Sequence, residues 1–97
     1  GQLPINPATG EIIRGNFEEA VKVVLENVKS IVEEAGGTMD DIVKVTVYMR
    51  DLNLFSKFNE IYSQYFKGKY PARVVVEVSK IPKDADLEVE VIAYIGR

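Results

Sequence analysis

The sequence contains neither cysteine nor histidine. Without cysteine there is no disulfide, no thiolate metal site and no thiol nucleophile. Without histidine, the commonest general base and the commonest zinc or iron ligand are both gone. Any catalysis must therefore use carboxylates, Arg, Lys, Tyr, Ser, backbone groups or water. No apolar run approaches membrane-spanning length, and Val74-Val75-Val76 is typical of the longest. No signal-peptide core or transit peptide is visible either, and with the missing cysteine this points to a reducing, cytoplasmic compartment. A basic block is also absent: twelve Lys and Arg are scattered among fifteen Asp and Glu, for a net charge of −3. Phosphate neutralisation supplies most non-specific nucleic-acid affinity, so nucleic acid is not the expected partner. The carboxylates lack a clustered ligand spacing, so no metal dependence is expected.

What is present is an ordinary globular balance, with 46% hydrophobic and 28% charged residues in a chain of 97. That suffices for one domain, residues 1–97, around one core. Residues 1–15 read as the end of an extended segment followed by loop, with a turn at Pro7-Ala8-Thr9-Gly10. Asn16 is placed to cap a helix, with Glu19 three residues on in a capping-box arrangement. The stripe Phe17, Ala20, Val21, Val24, Val28, Ile31, Ala35 has helical spacing, and Lys22, Glu26, Lys29 and Glu33 line the outer face. Gly36-Gly37 ends it.

The stretch IVKVTVYM alternates, with Val43, Val45, Val47 and Met49 on one face of a half-buried strand. Asp51 or Asn53 caps a second helix with the stripe Phe55, Phe58, Ile61, Tyr62, Tyr65 and Phe66, stopped by Gly68. Pro71-Ala72 opens a third extended segment, RVVVEVS, with Val74, Val76 and Val78 on one face. The loop KIPKDAD leads to a last strand, LEVEVIAYI. Two helices against one face of a sheet make an α+β domain. Three strands make a small sheet whose apolar surface needs further cover.

Candidate functional residues are those that break their own element's pattern. Asn59 borders the apolar stripe of the second helix; it either bonds nearby backbone or serves a site. Arg73 opens a Val-rich strand on the face opposite Val74 and Val76, shared with Val75 and Glu77. It is either an exposed edge residue or a planar fork for a substrate carboxylate. Glu88 and Glu90 share a face with Ile92 and Tyr94, as solvated carboxylates or as holders of a hydrolytic water. If the last two strands form a hairpin centred near Lys83, Arg73 faces about residue 93. Glu88 then lies roughly 17 Å away, so one site using both needs two subunits.

Several strings in order resemble the Rid (YjgF) family: Gly1-Gln2-Leu3-Pro4, Leu25-Glu26-Asn27-Val28-Lys29, Glu34-Ala35-Gly36, Asp41 to Tyr48, Asn59 ahead of Tyr62, Pro71-Ala72-Arg73, Val76-Glu77-Val78, Ile81-Pro82-Lys83-Asp84, and Leu87-Glu88-Val89-Glu90. The resemblance implies a chorismate-mutase-like fold and a homotrimer with active sites between subunits. It implies hydrolysis of 2-imino or enamine acids to 2-oxo acids and ammonia, with no metal or organic cofactor. Arg73 corresponds to the family's carboxylate-binding Arg and Glu88 to its water-associated Glu; Asn59 and Gly1 match pocket positions. Family members often carry Cys two residues after the Arg, where this chain has Val75, whose backbone carbonyl could still hold a water. They also carry two strands ahead of the position of Gly1, with a Tyr that lines the pocket, so the chain is expected to be short at its N-terminus. Two rival functions accompany the resemblance: an endoribonuclease that inhibits translation, and a non-catalytic ligand-binding or chaperone-like trimer.

Overall fold

A computed structural model describes residues 1–95. Helix α1 spans Phe17–Glu34. Strand β1 spans Ile42–Met49, helix α2 Phe55–Tyr62, strand β2 Ala72–Glu77 and strand β3 Leu87–Ala93. The strand order is β2-β1-β3, with β2 parallel and β3 antiparallel to the central β1. Both helices cover one face, and the domain is α+β as expected. Parallel neighbours cannot be joined by a tight turn, so α2 serves as the crossover between β1 and β2. The expected β2–β3 hairpin is therefore wrong, because β1 lies between them.

The ends of α1 follow from its sequence. The Asn16 side chain accepts from the Glu19 amide at 3.1 Å. At the other end Gly36 takes φ 91°, and the Gly36 and Gly37 amides reach back to the carbonyls of Glu33 and Val32. The buried face is Ala20, Val21, Val24, Leu25, Val28 and Val32. Ile31, expected inside, is 47% exposed, and Ala35 is exposed too. The stripe is wider on the Leu25 side because α1 packs against both α2 and β3.

In β1 the expected Val43 is on the wrong side. A bulge between Ile42 and Lys44 breaks the pairing with β3, so Ile42 is buried and Val43 exposed. Val45, Val47 and Met49 then face the helices, fully buried. A bulge adds one residue and flips everything before it to the other face. Asp51 proves to be the cap of the second helical stretch, accepting from the Asn53 amide at 2.9 Å. The α-helix ends at Tyr62, and Ser63–Tyr65 continues as a 3₁₀ turn. Phe66, in extended backbone, still reaches the core.

The N-terminal segment runs along the free edge of β3. Gln2 and Val89 exchange two backbone hydrogen bonds, and Asn27 of α1 holds the Ile5 carbonyl at 2.9 Å. The turn at residues 7–10 is present, with Gly10 at φ 75° and its amide bonded to the Asn6 carbonyl. The loop after β2 carries Lys83 and Asp84 in left-handed backbone. On the sheet face away from the helices, Val74, Ile92 and Tyr94 are 44%, 56% and 74% exposed.

Candidate functional site

Register fixes where each candidate stands. Arg73 pairs with Val45, Val75 with Val47, and Val45 in turn with Val91. Val45 and Val47 face the helices, so Arg73 and Val75 do as well. Val75 is half-buried and packs on the core; Arg73, at the end of β2, emerges beside α2. There its Nη1 donates to Asn59 Oδ1 at 2.6 Å. Asn59 thus bonds a side chain of β2 rather than nearby backbone.

Two aromatic rings complete the surroundings of Arg73. Its Cζ lies 5.1 Å from the Phe55 ring centroid and 4.9 Å from that of Tyr62. These residues read in the sequence as plain core. What could have distinguished them is their spacing about the pattern-breaking Asn59, four residues after Phe55 and three before Tyr62. The Tyr62 hydroxyl is buried with no hydrogen-bond partner among the described residues. Burial pushes its ionisation above the usual tyrosine value, and the Arg73 charge only partly offsets that. A cleft of about 410 Å³ opens over this group, lined by Asn59, Tyr62, Ser63, Tyr70, Pro71 and Arg73. A guanidinium carries five donors. One is spent on Asn59, and the remainder can serve an anion in the cleft.

Glu88 and Gly1 stand at the opposite edge. Glu88 pairs with Tyr48 on the face away from the helices. The Gly1 backbone abuts its carboxylate so closely that a Cβ would overlap Glu88 Oε2. Glu88 and Glu90 line a second hollow of about 280 Å³ with Tyr48, Val78, Lys80 and Ile81. Arg73 and Glu88 are two strands apart and three residues out of level, roughly 14 Å, and they point to opposite faces. One chain brings Arg73, Asn59 and Val75 together, and separately Glu88 and Gly1, but does not join the two groups. Among the described residues no group of three or more Asp or Glu is gathered to hold a metal ion. No helix among them is long and apolar enough to cross a membrane.

Comparison with known proteins gives consistent results. The family model described as endoribonuclease L-PSP matches residues 1–95. A RutC family protein of Pyrococcus abyssi is 58% identical over 97% of this chain and 74% of its own length. The crystal structure of YyfA, a Rid family protein of Yersinia pestis, superposes with a TM-score of 0.95 at 46% identity, over 98% of this chain and 76% of that one. TdcF of Escherichia coli, provisionally named a reactive intermediate deaminase, is 46% identical over 96% of this chain and 74% of its own. Its crystal structure with bound serine gives a TM-score of 0.93. The chain thus spans about three quarters of the length of these relatives.

Proposed function

Because the chain belongs to the Rid family, whose family model is described as endoribonuclease L-PSP, we propose that it hydrolyses 2-imino or enamine acids to 2-oxo acids and ammonia in clefts between subunits of a homotrimer. The observation that carries this reading is Arg73: its side chain is held by Asn59 while unspent donors face a cleft of substrate size. The name of TdcF and the serine bound to it support a small carboxylate-bearing ligand for the same kind of cleft. The uncovered apolar sheet face, with Val74, Ile92 and Tyr94, supports assembly.

In this mechanism the substrate carboxylate pairs with Arg73 in the plane of the guanidinium. That places the imine carbon for attack, so most of the rate gain is orientation. Glu88 of the partner subunit positions a water and accepts its proton as the oxygen adds to that carbon. The C=N electron pair moves to nitrogen, which takes that proton from Glu88. The freed Glu88 carboxylate then accepts the hydroxyl proton and passes it to the amino nitrogen, so that the C–N bond breaks to release ammonia and leave the 2-oxo acid. Val75 contributes its backbone carbonyl as a further water acceptor beside Arg73.

The test is ammonia release from freshly generated 2-iminobutanoate. Arg73→Ala is expected to cut turnover by at least about a hundredfold with oligomeric mass unchanged. Arg73→Lys keeps charge without the fork and should recover part of it. Parental turnover in the alanine variant would overturn the assignment. The family description raises RNA cleavage as a second reading; nuclease-free protein is expected to leave RNA intact. Binding of 2-oxo acids without any ammonia release would favour the non-catalytic trimer instead.

A further inference from the structure

Helix α2 meets Arg73 with three side chains of one stripe: Phe55, Asn59 and Tyr62. A helix rises about 10.5 Å over the seven residues from Phe55 to Tyr62. Both ring centroids lie about as far from the Arg73 Cζ, at 5.1 and 4.9 Å. The Arg73 guanidinium carbon thus lies over both rings, and its Nη1 donates to Asn59 Oδ1. Two rings and the amide thus border the guanidinium, and the cleft beside it is lined by Ser63, Tyr70 and Pro71 as well.

We propose that Phe55 and Tyr62 are positioning residues that fix the plane of the Arg73 guanidinium, and that this makes the site selective for planar carboxylates over tetrahedral anions of equal charge. The proposal rests on the carboxylate-binding role of Arg73 and adds its cause and its selectivity. A carboxylate is planar and matches two parallel N–H groups within the guanidinium plane. A phosphonate presents oxygens out of that plane, where a ring replaces water and offers no donor. An unrestrained arginine turns its plane to suit either anion. Restraint against two rings removes that freedom, so the penalty falls on the tetrahedral ligand. Cation–π attraction contributes to holding the guanidinium there, because the ring faces carry partial negative charge. Plain core packing does not require this arrangement: Phe55 is only half-buried, yet its ring lies against the guanidinium.

The test compares pyruvate with methyl acetylphosphonate, both monoanionic 2-oxo compounds, by calorimetry on the parent, Phe55→Leu, Tyr62→Leu and Tyr62→Phe. The parent is expected to prefer pyruvate by at least about tenfold. Either leucine variant should tighten the phosphonate by up to about tenfold while changing pyruvate little, collapsing the ratio. Tyr62→Phe keeps the ring and should keep the ratio. The Arg73 Nε–H resonance provides an independent readout: a ring-current shift is expected in the parent and in Tyr62→Phe, and a reduced one in the leucine variants. Phe55→Leu, at a half-buried position, keeps the test open if Tyr62→Leu does not fold. A parental ratio in a folded leucine variant overturns the proposal. A shifted Nε–H resonance in a parent that binds neither compound places the failure in the carboxylate role of Arg73, and ends the selectivity with it.

Discussion

The two edges of the sheet are built to different degrees of completion. At the β2 edge, the Arg73 guanidinium is hydrogen-bonded to Asn59 and flanked by two rings before any ligand arrives. At the β3 edge, what meets the Glu88 carboxylate within the chain is the backbone of Gly1. In the function proposed above, one edge is a preorganised binding half and the other presents a chemical group to whatever comes against it. Binding a carboxylate needs a fixed fork, so the cost of ordering it is met by folding. Positioning a water needs only a carboxylate brought to the right place, which assembly can supply. The difference teaches that an isolated subunit should hold ligand recognition and lack turnover.

The strongest way to break this comparison is to separate the halves genetically. Glu88→Gln should lower turnover by about a hundredfold while leaving 2-oxo acid binding at its parental level. Arg73→Ala should lose both. If each site takes Arg73 from one subunit and Glu88 from its neighbour around a ring, an equal refolded mixture of the two variants regenerates intact sites. Random assembly then restores about a quarter of parental turnover, since a functional site needs one variant followed by the other in a fixed direction. Turnover no higher than the mean of the two separate variants would place both residues in one subunit's site or remove Glu88 from it.

A smaller effect is expected at Gly1. A methyl group there would overlap a terminal oxygen of a side chain that can swing away. Gly1→Ala should therefore displace Glu88 rather than unfold the protein, with stability within about 0.5 kcal/mol of the parent. Turnover should fall several-fold, and binding at the Arg73 edge should not change. Unaltered turnover would show that the contact with Gly1 does not set the position of Glu88.

These halves were unequally legible in the sequence. Periodicity located both helices and all three strands, because an apolar stripe reports directly on which face is buried. It misplaced Val43, since a bulge leaves no mark on an alternating run. Arg73 and Asn59 stood out as pattern breakers, yet their meeting depended on topology. The strand–helix–strand order of β1, α2 and β2 already implied a parallel crossover, which seats α2 beside β2; reading a hairpin into the last two strands hid this. The distance between Arg73 and Glu88 came out too great by either route, for different reasons. Phe55 and Tyr62 were indistinguishable from core by residue type alone, because an aromatic that flanks a cation also fills space.

The last and smallest expected effect lies away from both edges and serves as their control. Tyr65 donates from its hydroxyl to Glu26 Oε2 at 2.7 Å, joining the 3₁₀ turn after α2 to the outer face of α1. Its ionisation is pushed well above the usual tyrosine range, first by burial and then by that hydrogen bond and the Glu26 charge. In the unfolded chain the same group titrates near its ordinary value of about 10. Below that pH both states are protonated and the contribution to stability is fully present. As pH rises past it, the unfolded chain loses its proton first, so stability falls toward the folded-state value. Tyr65→Phe removes this dependence. At neutral pH it should cost no more than about 1 kcal/mol, the worth of one partly exposed hydrogen bond. Between about pH 10 and 11.5 the melting temperature of the parent should drop more steeply than that of the variant. Some slope should persist in the variant, because burial raises Tyr62 in the same direction. Turnover at neutral pH should match the parent, in contrast to Arg73→Ala, Glu88→Gln and Gly1→Ala. Identical alkaline slopes would show that the Tyr65–Glu26 link is not maintained in solution; a loss of turnover would extend the functional surface beyond the β2 and β3 edges.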